Sequence, residues 1–287
     1  MIHADHSRSV TRVAYRAYDA LRKIFWSATG GRREAVFGLQ FRFSPSSSFP
    51  AYRGLRLPSR DIFSTIVRHG DYVQLHSSYV FLKELKRAPV VVDVGAHHGI
   101  YAVILGKLVQ QMHGKVIAVG PSPEAFSVLQ TNVRLNGLRD TVFCERAAIM
   151  DRTETVGGVE GGDQSRIAAG HAHPDFVVEA MTLKQLLKKY DVRGADLLII
   201  DVEGAELKVL KGIDWKMARF GRIFCELHPY NWSQFGYTGA DLIRFLSHHG
   251  YRCFDMYLRE HKDFPDKGYI GPTIFVPKEE TERRRRQ

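Results

Sequence analysis

The sequence predicts an α/β fold with a doubly wound, mostly parallel sheet that helices cover on both faces. Three observations predict it. Near-continuous apolar runs alternate with helical patterns from residue 90 onward, which is typical of parallel strands buried on both faces. The first of these runs ends in a glycine turn, and two later runs end in acidic residues. Ligands of open α/β sheets bind at this carboxyl end of the strands.

The order of the elements follows from these runs. The expected strands are residues 90–94, 115–119, 141–145, 196–200, 222–227, 251–256 and 272–276, and the expected helices are residues 100–112, 123–136, 182–190, 203–211 and 239–249. The glycine-rich residues 157–175 interrupt the alternation, and they predict a hairpin or a lid.

The catalytic unit is expected to span residues 86–278, between a basic N-terminal extension or cap (1–85) and a basic, disordered tail (279–287). Residues 10–26 have apolar side chains at helical spacing with arginines between them. This amphipathic helix either packs on its own domain or lies on an anionic membrane surface. The other elements expected in the extension are a strand at 34–43 and helices at 60–68 and 78–86.

Composition and charge limit the class of protein. The 287 residues are 44% hydrophobic, but no run approaches the roughly 18 apolar residues of a membrane-spanning helix. The N-terminus lacks a secretory pattern because charged residues interrupt its apolar runs. Cys144, Cys225 and Cys253 lie far apart and are expected to be reduced thiols. The expected location is the cytoplasm, or the periphery of a membrane.

The first strand runs into Asp93-Val94-Gly95-Ala96-His97-His98-Gly99, and a helix follows at once. Glycine lets the backbone turn sharply there and approach a ligand. The Gly-x-x-x-Gly spacing differs from the dinucleotide pattern Gly-x-Gly-x-x-Gly, which disfavours NAD. An acid that holds ribose hydroxyls is expected after the second strand, but Gly120 occupies that position. Glu124 lies nearby, where Ser122 and Pro123 indicate a helix start that explains this acid by capping alone.

Polar residues end two later strands. Asp201 and Glu203 follow the strand at 196–200, and Glu226 and His228 follow the strand at 222–227. Residues two apart in an extended chain point to one face, so each pair is expected to face the same site. Glu206 is interpreted as an acid that complements the dipole of the next helix.

Taken together, these segments resemble the FkbM-type methyltransferases over roughly residues 85–277. The resemblance is carried by VVVDVGAHHGIYAVI (90–104), VIAVGPSPEAFSVLQTNVRLNG (116–137), Ala147-Ala148, MTLKQLL (181–187), IIDVEGAELKVLKG (199–212) and ELHP (226–229). It implies a class I methyltransferase fold, S-adenosylmethionine as methyl donor, and methylation of a hydroxyl on a sugar, lipid or other small molecule. It also implies a cofactor site that includes Asp93, Gly95, Ala96, His97, Gly99, Gly120, Pro121, Ala147 and Asp201. Two residues depart from the family pattern: Gly120 replaces the ribose-binding acid, and Lys184 replaces a common acid.

Methyl transfer requires that the acceptor oxygen be aligned and lose its proton. The expected catalytic residues are Asp201, Glu203, Glu226 and His228. His228 or Asp201 is the predicted general base, and Glu226 is predicted to orient the imidazole. In a second version, these four residues bind a divalent cation such as magnesium or manganese, which lowers the pKa of the acceptor.

Three other functions stay open at this point. A nicotinamide-dependent oxidoreductase would share the fold, but its glycine pattern and its acid are both missing. A methyltransferase-like binding module that has lost its cofactor is consistent with Gly120. A nucleic-acid methyltransferase would suit the net charge of +10. The sequence has no Asn-Pro-Pro-Tyr-like run typical of base-flipping enzymes, so nucleic acid is not the expected partner.

Overall fold

The computed structural model describes residues 33–36, 39–42, 78, 81–85, 87–161, 165–168, 173–255, 260–262 and 271–285 of the protein. The strands are β1 (Arg33–Val36), β2 (Leu39–Arg42), β3 (Val90–Val94), β4 (Lys115–Val119), β5 (Val142–Glu145), β6 (Ala148–Met150), β7 (Glu154–Val159), β8 (Arg166–Ile167), β9 (Phe176–Thr182), β10 (Gly194–Ile200), β11 (Arg219–Leu227), β12 (Tyr251–Asp255), β13 (Glu260–His261) and β14 (Gly271–Pro277). The helices are α1 (Ile100–Gln111), α2 (Pro123–Leu135), α3 (Leu183–Lys189), α4 (Glu206–Lys211), α5 (Gly239–His248) and α6 (Lys278–Arg285), and a 3₁₀ helix spans Pro229–Phe235.

The main sheet confirms the predicted fold class. Among the described residues its strand order is β13-β12-β14-β11-β10-β3-β4-β5. The strands β5, β4, β3, β10 and β11 are parallel to one another, and β14 runs antiparallel to both β11 and β12. The order reverses between β3 and β10, so a crevice forms at the carboxyl ends of these two strands.

Helices cover both faces of this sheet. Successive side chains of a strand point to opposite faces, so each central strand contributes to two cores. Val92 and Leu198 pack with residues of α3, α4 and α5 on one face. Val91 and Leu197 pack with residues of α1 and α2 on the other. This double burial explains why the strands are apolar throughout.

Local capping sets the beginnings of the helices. The Ser122 side chain accepts a hydrogen bond of 3.1 Å from the Ala125 N–H, and Pro123 is the first residue of α2, as the sequence predicts. Thr182 and Thr238 begin α3 and α5 with complete capping boxes.

The helix expected at 203–211 begins only at Glu206. The reason is the backbone before it, because Glu203 and Gly204 have φ angles of 54° and 112°. A right-handed helix cannot include residues in this left-handed region, so residues 201–205 form a turn.

A second sheet accounts for the glycine-rich interruption. Its strand order is β6-β9-β7-β8, and the antiparallel pair of β7 and β8 confirms the expected hairpin. The strands β6 and β9 are not among the predicted elements. In β9 the buried residues Phe176, Val178 and Ala180 alternate with exposed Val177 and Glu179, which is the period of a strand with one buried face.

The two ends of the chain differ from expectation in different ways. Part of the strand expected at 34–43 forms the antiparallel pair β1 and β2, and residues 81–83 within the expected helix 78–86 are helical. The expected helices 10–26 and 60–68 lie outside the described residues. Residues 279–285 of the tail expected to be disordered are helical and belong to α6. The Lys278 N–H bonds to the Gly250 carbonyl at 2.8 Å and Arg222 pairs with Glu280 at 3.2 Å, which holds the start of this helix against the domain.

Two further expectations concern the thiols and membranes. All three cysteines are free, as predicted. Within the described ranges, none of the helices has the length and apolar character that crossing a membrane requires.

Candidate active site

A cleft of about 690 Å³ opens at the carboxyl ends of β3, β4 and β10. Residues of β6 and β8 in the second sheet line its other side. A concave site lined mainly by apolar groups is typical of small-molecule and cofactor sites. Its position is the one that the alternation of strands and helices predicts.

The glycine turn after β3 forms one end of the cleft. Gly95 has a φ angle of 93°, and a Cβ there would lie 1.7 Å from the backbone carbonyl oxygen of Asp201. The N–H groups of Gly95 and Ala96 both bond to the Val119 carbonyl at 2.9 Å. Only glycine therefore lets the turn fit between the ends of β4 and β10. Gly99 serves helix packing instead, because a Cβ there would meet Leu129 of α2 at 2.3 Å.

Six of the residues predicted to bind the cofactor line this cleft. They are Gly95, His97, Gly120, Pro121, Ala147 and Asp201. The other three, Asp93, Ala96 and Gly99, are not part of the wall.

The Asp93 side chain is buried beside the first turn of α1 and does not line the cleft. Its carboxyl group accepts a hydrogen bond from the Ala102 backbone, and burial raises its pKa to about 7. The side chain is 2% exposed, and its Oδ2 atom has no hydrogen-bond partner among the described residues. Contact of Asp93 with the cofactor stays a prediction.

The second sheet supplies cleft residues that the sequence analysis does not identify. Ile149 and Met150 come from β6, and Ser165, Arg166 and Ile167 come from the hairpin strand β8 and the residue before it. The signal in the sequence is the glycine-rich hairpin itself, but nothing in its pattern says that it folds over the glycine turn.

The predicted reaction residues converge on the His228 side chain. Its Nε2 atom lies 3.8 Å from Asp201 Oδ1, 3.7 Å from Glu203 Oε1 and 3.8 Å from Glu226 Oε1. His228 follows β11, and the turn after β10 brings Asp201 and Glu203 to it. The cluster is therefore at the edge of the sheet that the sequence predicts.

Glu206 holds the other side of the imidazole and is the main correction at this site. Its Oε1 atom lies 2.8 Å from His228 Nδ1 and accepts the Gly204 N–H at 2.9 Å. Its Oε2 atom accepts from Trp232 Nε1 at 2.8 Å and from the Tyr237 hydroxyl at 2.7 Å. The residue that orients the imidazole is therefore Glu206, whereas the sequence analysis gives that role to Glu226. The helix-dipole interpretation accounts for only part of what Glu206 does.

The cluster changes the acidity of its members. Burial lowers the pKa of His228, but the hydrogen bond with Glu206 and then the charge of Asp201 outweigh it, so the pKa rises to about 9. Although 43% of the Asp201 side chain is exposed, desolvation and then the charge of Glu226 raise its pKa well above the usual value. At neutral pH the imidazole therefore carries a proton on both nitrogens and compensates part of the surrounding negative charge.

The 3₁₀ helix after β11 fixes the turn that carries the carboxylates. Asn231 donates to the Glu203 carbonyl at 2.9 Å, and a Cβ at Gly204 would lie 2.4 Å from the Asn231 Cβ. The Tyr230 hydroxyl donates to Glu203 Oε2 at 2.7 Å. The close approach at Gly204 and the hydrogen bonds from Tyr230 and Asn231 therefore hold this turn in place together.

The sheet order and the cleft define a class I methyltransferase fold, the Rossmann-like class of S-adenosylmethionine-dependent methyltransferases. The chain belongs to the FkbM methyltransferase family, since the family model described as "Methyltransferase FkbM domain" matches residues 93–253. This confirms the resemblance seen in the sequence and favours a methyltransferase over a nicotinamide-dependent oxidoreductase.

Relatives give the same class. The chain is 26% identical to methyltransferase sdnD of Sordaria araneosa, over 52% of this chain and 71% of that protein. It is 27% identical to hexuronic acid methyltransferase AglP of Haloferax volcanii, over 58% of this chain and 65% of that protein. A solved structure of methyltransferase FkbM from Methylobacillus flagellatus KT is similar at 14% identity and a TM-score of 0.45, over 75% of this chain and 52% of that chain. The matched part is thus about two thirds of the length of the curated relatives and about half of that solved chain.

Proposed function

We propose that this protein is an S-adenosylmethionine-dependent O-methyltransferase that acts on a hydroxyl of a sugar, a lipid or another small molecule. The observation that carries the proposal is the cluster around His228, which lies beside the cleft and contains carboxylates able to take up a proton. The name of the Haloferax relative, a hexuronic acid methyltransferase, supports a sugar acceptor. The catalytic activity is assigned to residues 86–278, with residues 1–85 as an extension.

The residues of the cleft fit the proposed cofactor. Gly95 and Gly120 line the cleft without side chains, so the backbone can approach a ligand closely there. Val119, Ile149 and Met150 line the cleft with apolar groups suited to a purine ring. Asp201 lines it with negative charge suited to a cationic ligand. When bound, S-adenosylmethionine supplies a methyl group that is already activated by its positively charged sulfur.

Asp201 is the general base of the proposed mechanism. It is the most exposed carboxylate of the cluster, with 43% of its side chain accessible, and its raised pKa makes it a stronger base. His228 has a pKa of about 9, so at neutral pH it already carries the proton that a base would have to accept. It acts instead as a positive charge that stabilises the ionised form of Asp201.

A second version of the mechanism uses a divalent cation. Asp201, Glu203 and His228 each offer a ligand atom, and these three atoms lie within 4.8 Å of one another. The contact of Glu206 with His228 Nδ1 resembles the outer carboxylate that orients a metal-binding histidine. In this version the imidazole would be neutral, and a cation held by Asp201, Glu203 and His228 would lower the pKa of the acceptor hydroxyl.

Binding of the cofactor is the first test. Titration calorimetry with S-adenosylmethionine and S-adenosylhomocysteine is expected to give micromolar affinities, with NAD as the negative control. Absence of binding by folded protein would favour a methyltransferase-like module that has lost its cofactor.

The second test measures methyl transfer to hydroxylated sugars, uronic acids and lipids from S-adenosylmethionine labelled in its methyl group. Asp201→Asn is expected to lower kcat, measured at saturating S-adenosylmethionine, by about 10²- to 10⁴-fold. Saturation separates this effect from any loss of cofactor affinity, since Asp201 also lines the cleft. Asp140→Asn, at an exposed position outside the cleft, is the matched control. Equal turnover in both variants would contradict the role of Asp201.

The same assay separates the two versions. Metal-stripped protein with a chelator is expected to retain its turnover if the mechanism is metal-free. Loss of turnover with the chelator, and its return with magnesium or manganese, would favour the second version.

A further inference from the structure

The acid that is expected to hold the ribose hydroxyls is missing at position 120 of the cofactor cleft. In α/β folds of this kind, an acid after the second strand of the sheet holds the ribose hydroxyls of the ligand. Here Gly120 follows β4 and lines the cleft. The space beside it is open, because a Cβ there would meet only the His97 nitrogen, at 3.8 Å. Crowding therefore does not explain the missing acid.

The hairpin of the second sheet brings another carboxylate to the same place. Glu160 follows β7, and its Oε1 and Oε2 atoms accept hydrogen bonds from the Ser122 hydroxyl at 2.7 and 3.0 Å. Its Oε2 atom also accepts from the Ser165 hydroxyl at 2.7 Å. Ser122 and Ser165 both line the cleft, whereas Glu160 itself is not part of its wall. The Glu160 carboxylate therefore lies directly behind these two wall residues, and Ser122 is only two residues from Gly120 in the chain.

Other contacts hold this carboxylate in position. The Glu160 N–H donates to Asp175 Oδ2 at 2.9 Å, which fixes its backbone. Ser122 is fixed as the cap of α2, since its oxygen accepts the Ala125 N–H while its hydroxyl hydrogen is directed to Glu160. An ionised carboxylate has about four acceptor positions, and the contacts with Ser122 and Ser165 take three of them. One position on Oε1 is left for a ribose hydroxyl, and the second ribose hydroxyl takes the place of the longer Ser122 contact on Oε2.

We propose that Glu160 binds the ribose hydroxyls of the cofactor and replaces, from the hairpin, the acid that is missing at Gly120. The inference rests on the proposed function, because it requires an adenosine-containing cofactor in this cleft. It also explains why the hairpin folds over the glycine turn: the hairpin completes the cofactor site.

The test measures how strongly binding depends on the ribose hydroxyls. S-adenosylhomocysteine and its 2′,3′-dideoxy analogue are titrated by calorimetry against the full chain and its variants. The unaltered protein is expected to prefer the ribose ligand by about 10- to 100-fold, because hydrogen bonds to a charged group are strong. Glu160→Gln is expected to reduce this preference to a few-fold. The affinity for the ribose ligand falls, and the affinity for the dideoxy ligand stays nearly unchanged.

Three variants make the result specific. Glu179→Gln removes the same charge from an exposed position of the same sheet, and it is expected to change neither affinity. Glu124→Gln tests the acid nearest to Gly120 in the chain, and the ribose preference is expected to persist. Gly120→Asp added to Glu160→Gln is expected to restore the preference, because the open space at Gly120 admits a side chain.

Several results would overturn the inference. One is an equal loss of affinity for both ligands in Glu160→Gln, which would indicate that Glu160 only connects Ser122 and Ser165. A second is an unchanged preference in that variant, or a loss in Glu124→Gln. Glu160→Asp, which keeps the charge, replaces Glu160→Gln if thermal unfolding shows that the latter is not folded, and an unchanged preference there would also overturn the inference. If the unaltered protein binds no S-adenosylhomocysteine, the proposed function itself fails, and the inference fails with it.

Discussion

Replacing Glu206 by glutamine tests whether one buried carboxylate organises the reaction cluster. Glu206 is fully buried and accepts hydrogen bonds from Gly204, Trp232 and Tyr237 as well as contacting His228. Glutamine has the same shape, but its NH₂ group replaces one of the two oxygens, and these accept from the Gly204 N–H and from Trp232 Nε1, which can only donate. At least one buried group must therefore lose its partner.

The magnitude follows from the charge of His228. Its pKa of about 9, against an ordinary value of 6.5, is a difference of about 2.5 pKa units, or about 3 kcal/mol. Removing one member of a buried charged pair costs about 3–5 kcal/mol. We therefore expect Glu206→Gln to lower the free energy of unfolding by about 3–5 kcal/mol at pH 7, and to lower the pKa of His228.

The dependence on pH gives a second readout. Because the pKa of His228 is raised in the folded state, its stabilising contribution is complete below pH 6.5 and is lost as the pH rises through 9. Urea denaturation between pH 6 and pH 10, with a chelator present, is expected to show this loss in the unaltered protein. Glu206→Gln is expected to show a flatter profile, and NMR titration of the His228 ring measures the pKa directly.

Glu179→Gln serves as the control, because its side chain is exposed and contacts only the Thr155 hydroxyl among the hydrogen bonds of the described side chains. It is expected to leave stability and the His228 pKa unchanged. If Glu206→Gln were as stable as this control and His228 titrated as before, then Glu206 would not be what holds the imidazole, and the assignment of Asp201 as base would lose its support.

Three further variants test other parts of the structure. The pKa of Asp93 is raised to about 7 by burial. Ionisation of this buried carboxyl therefore lowers the free energy of unfolding, by up to about 4 kcal/mol, as the pH rises from 4 to 7. Asp93→Asn is expected to remove this loss and to unfold at higher urea concentration than the unaltered protein at pH 8. Gly95→Ala places a Cβ 1.7 Å from a backbone carbonyl oxygen and is expected to destabilise by about 3 kcal/mol or more. Gly137→Ala, which has a similar positive φ but open space, is expected to cost only about 1 kcal/mol; equal midpoints for the two in thermal melts would refute the argument. Tyr230→Phe removes the hydrogen bond to Glu203 at a half-exposed position, so calorimetry is expected to show a change within about 1 kcal/mol, with a several-fold lower kcat/KM.

The main sheet could be predicted because its signals are local. Buried parallel strands need apolar residues on both faces, and Val91 and Val92 satisfy that need on opposite sides of β3. The start of α2 is equally local, since Ser122 and Pro123 supply the cap and the first turn. The positions of Asp201 and His228 follow from the same logic, because parallel strands end at one edge of a sheet.

The partners of Glu206 could not be predicted, because they come from distant parts of the chain. Trp232 and Tyr237 reach it from the 3₁₀ helix and the residues after it, and no periodic pattern connects these positions. A glutamate in the first turn of a helix also has an adequate local explanation in the helix dipole. For the same reason the position of Glu160 at the cleft was not predictable, since a hairpin of few apolar contacts carries no signal for the surface on which it packs.

The exposed fraction of each side chain in the cluster around His228 distinguishes the residues proposed to orient the imidazole from the residue proposed to react. Glu206 is 0% exposed and His228 is 3% exposed, whereas the side chains of Glu203, Glu226 and Asp201 are 12%, 22% and 43% exposed. A general base must come within hydrogen-bond distance of its proton, and a fully buried carboxylate whose oxygens are occupied cannot do so. In the proposed mechanism the buried pair of Glu206 and His228 fixes charge and orientation, and the proton is taken at the exposed end of the series. Asp201 is the most exposed of the three acids there, and burial and then the charge of Glu226 raise its pKa.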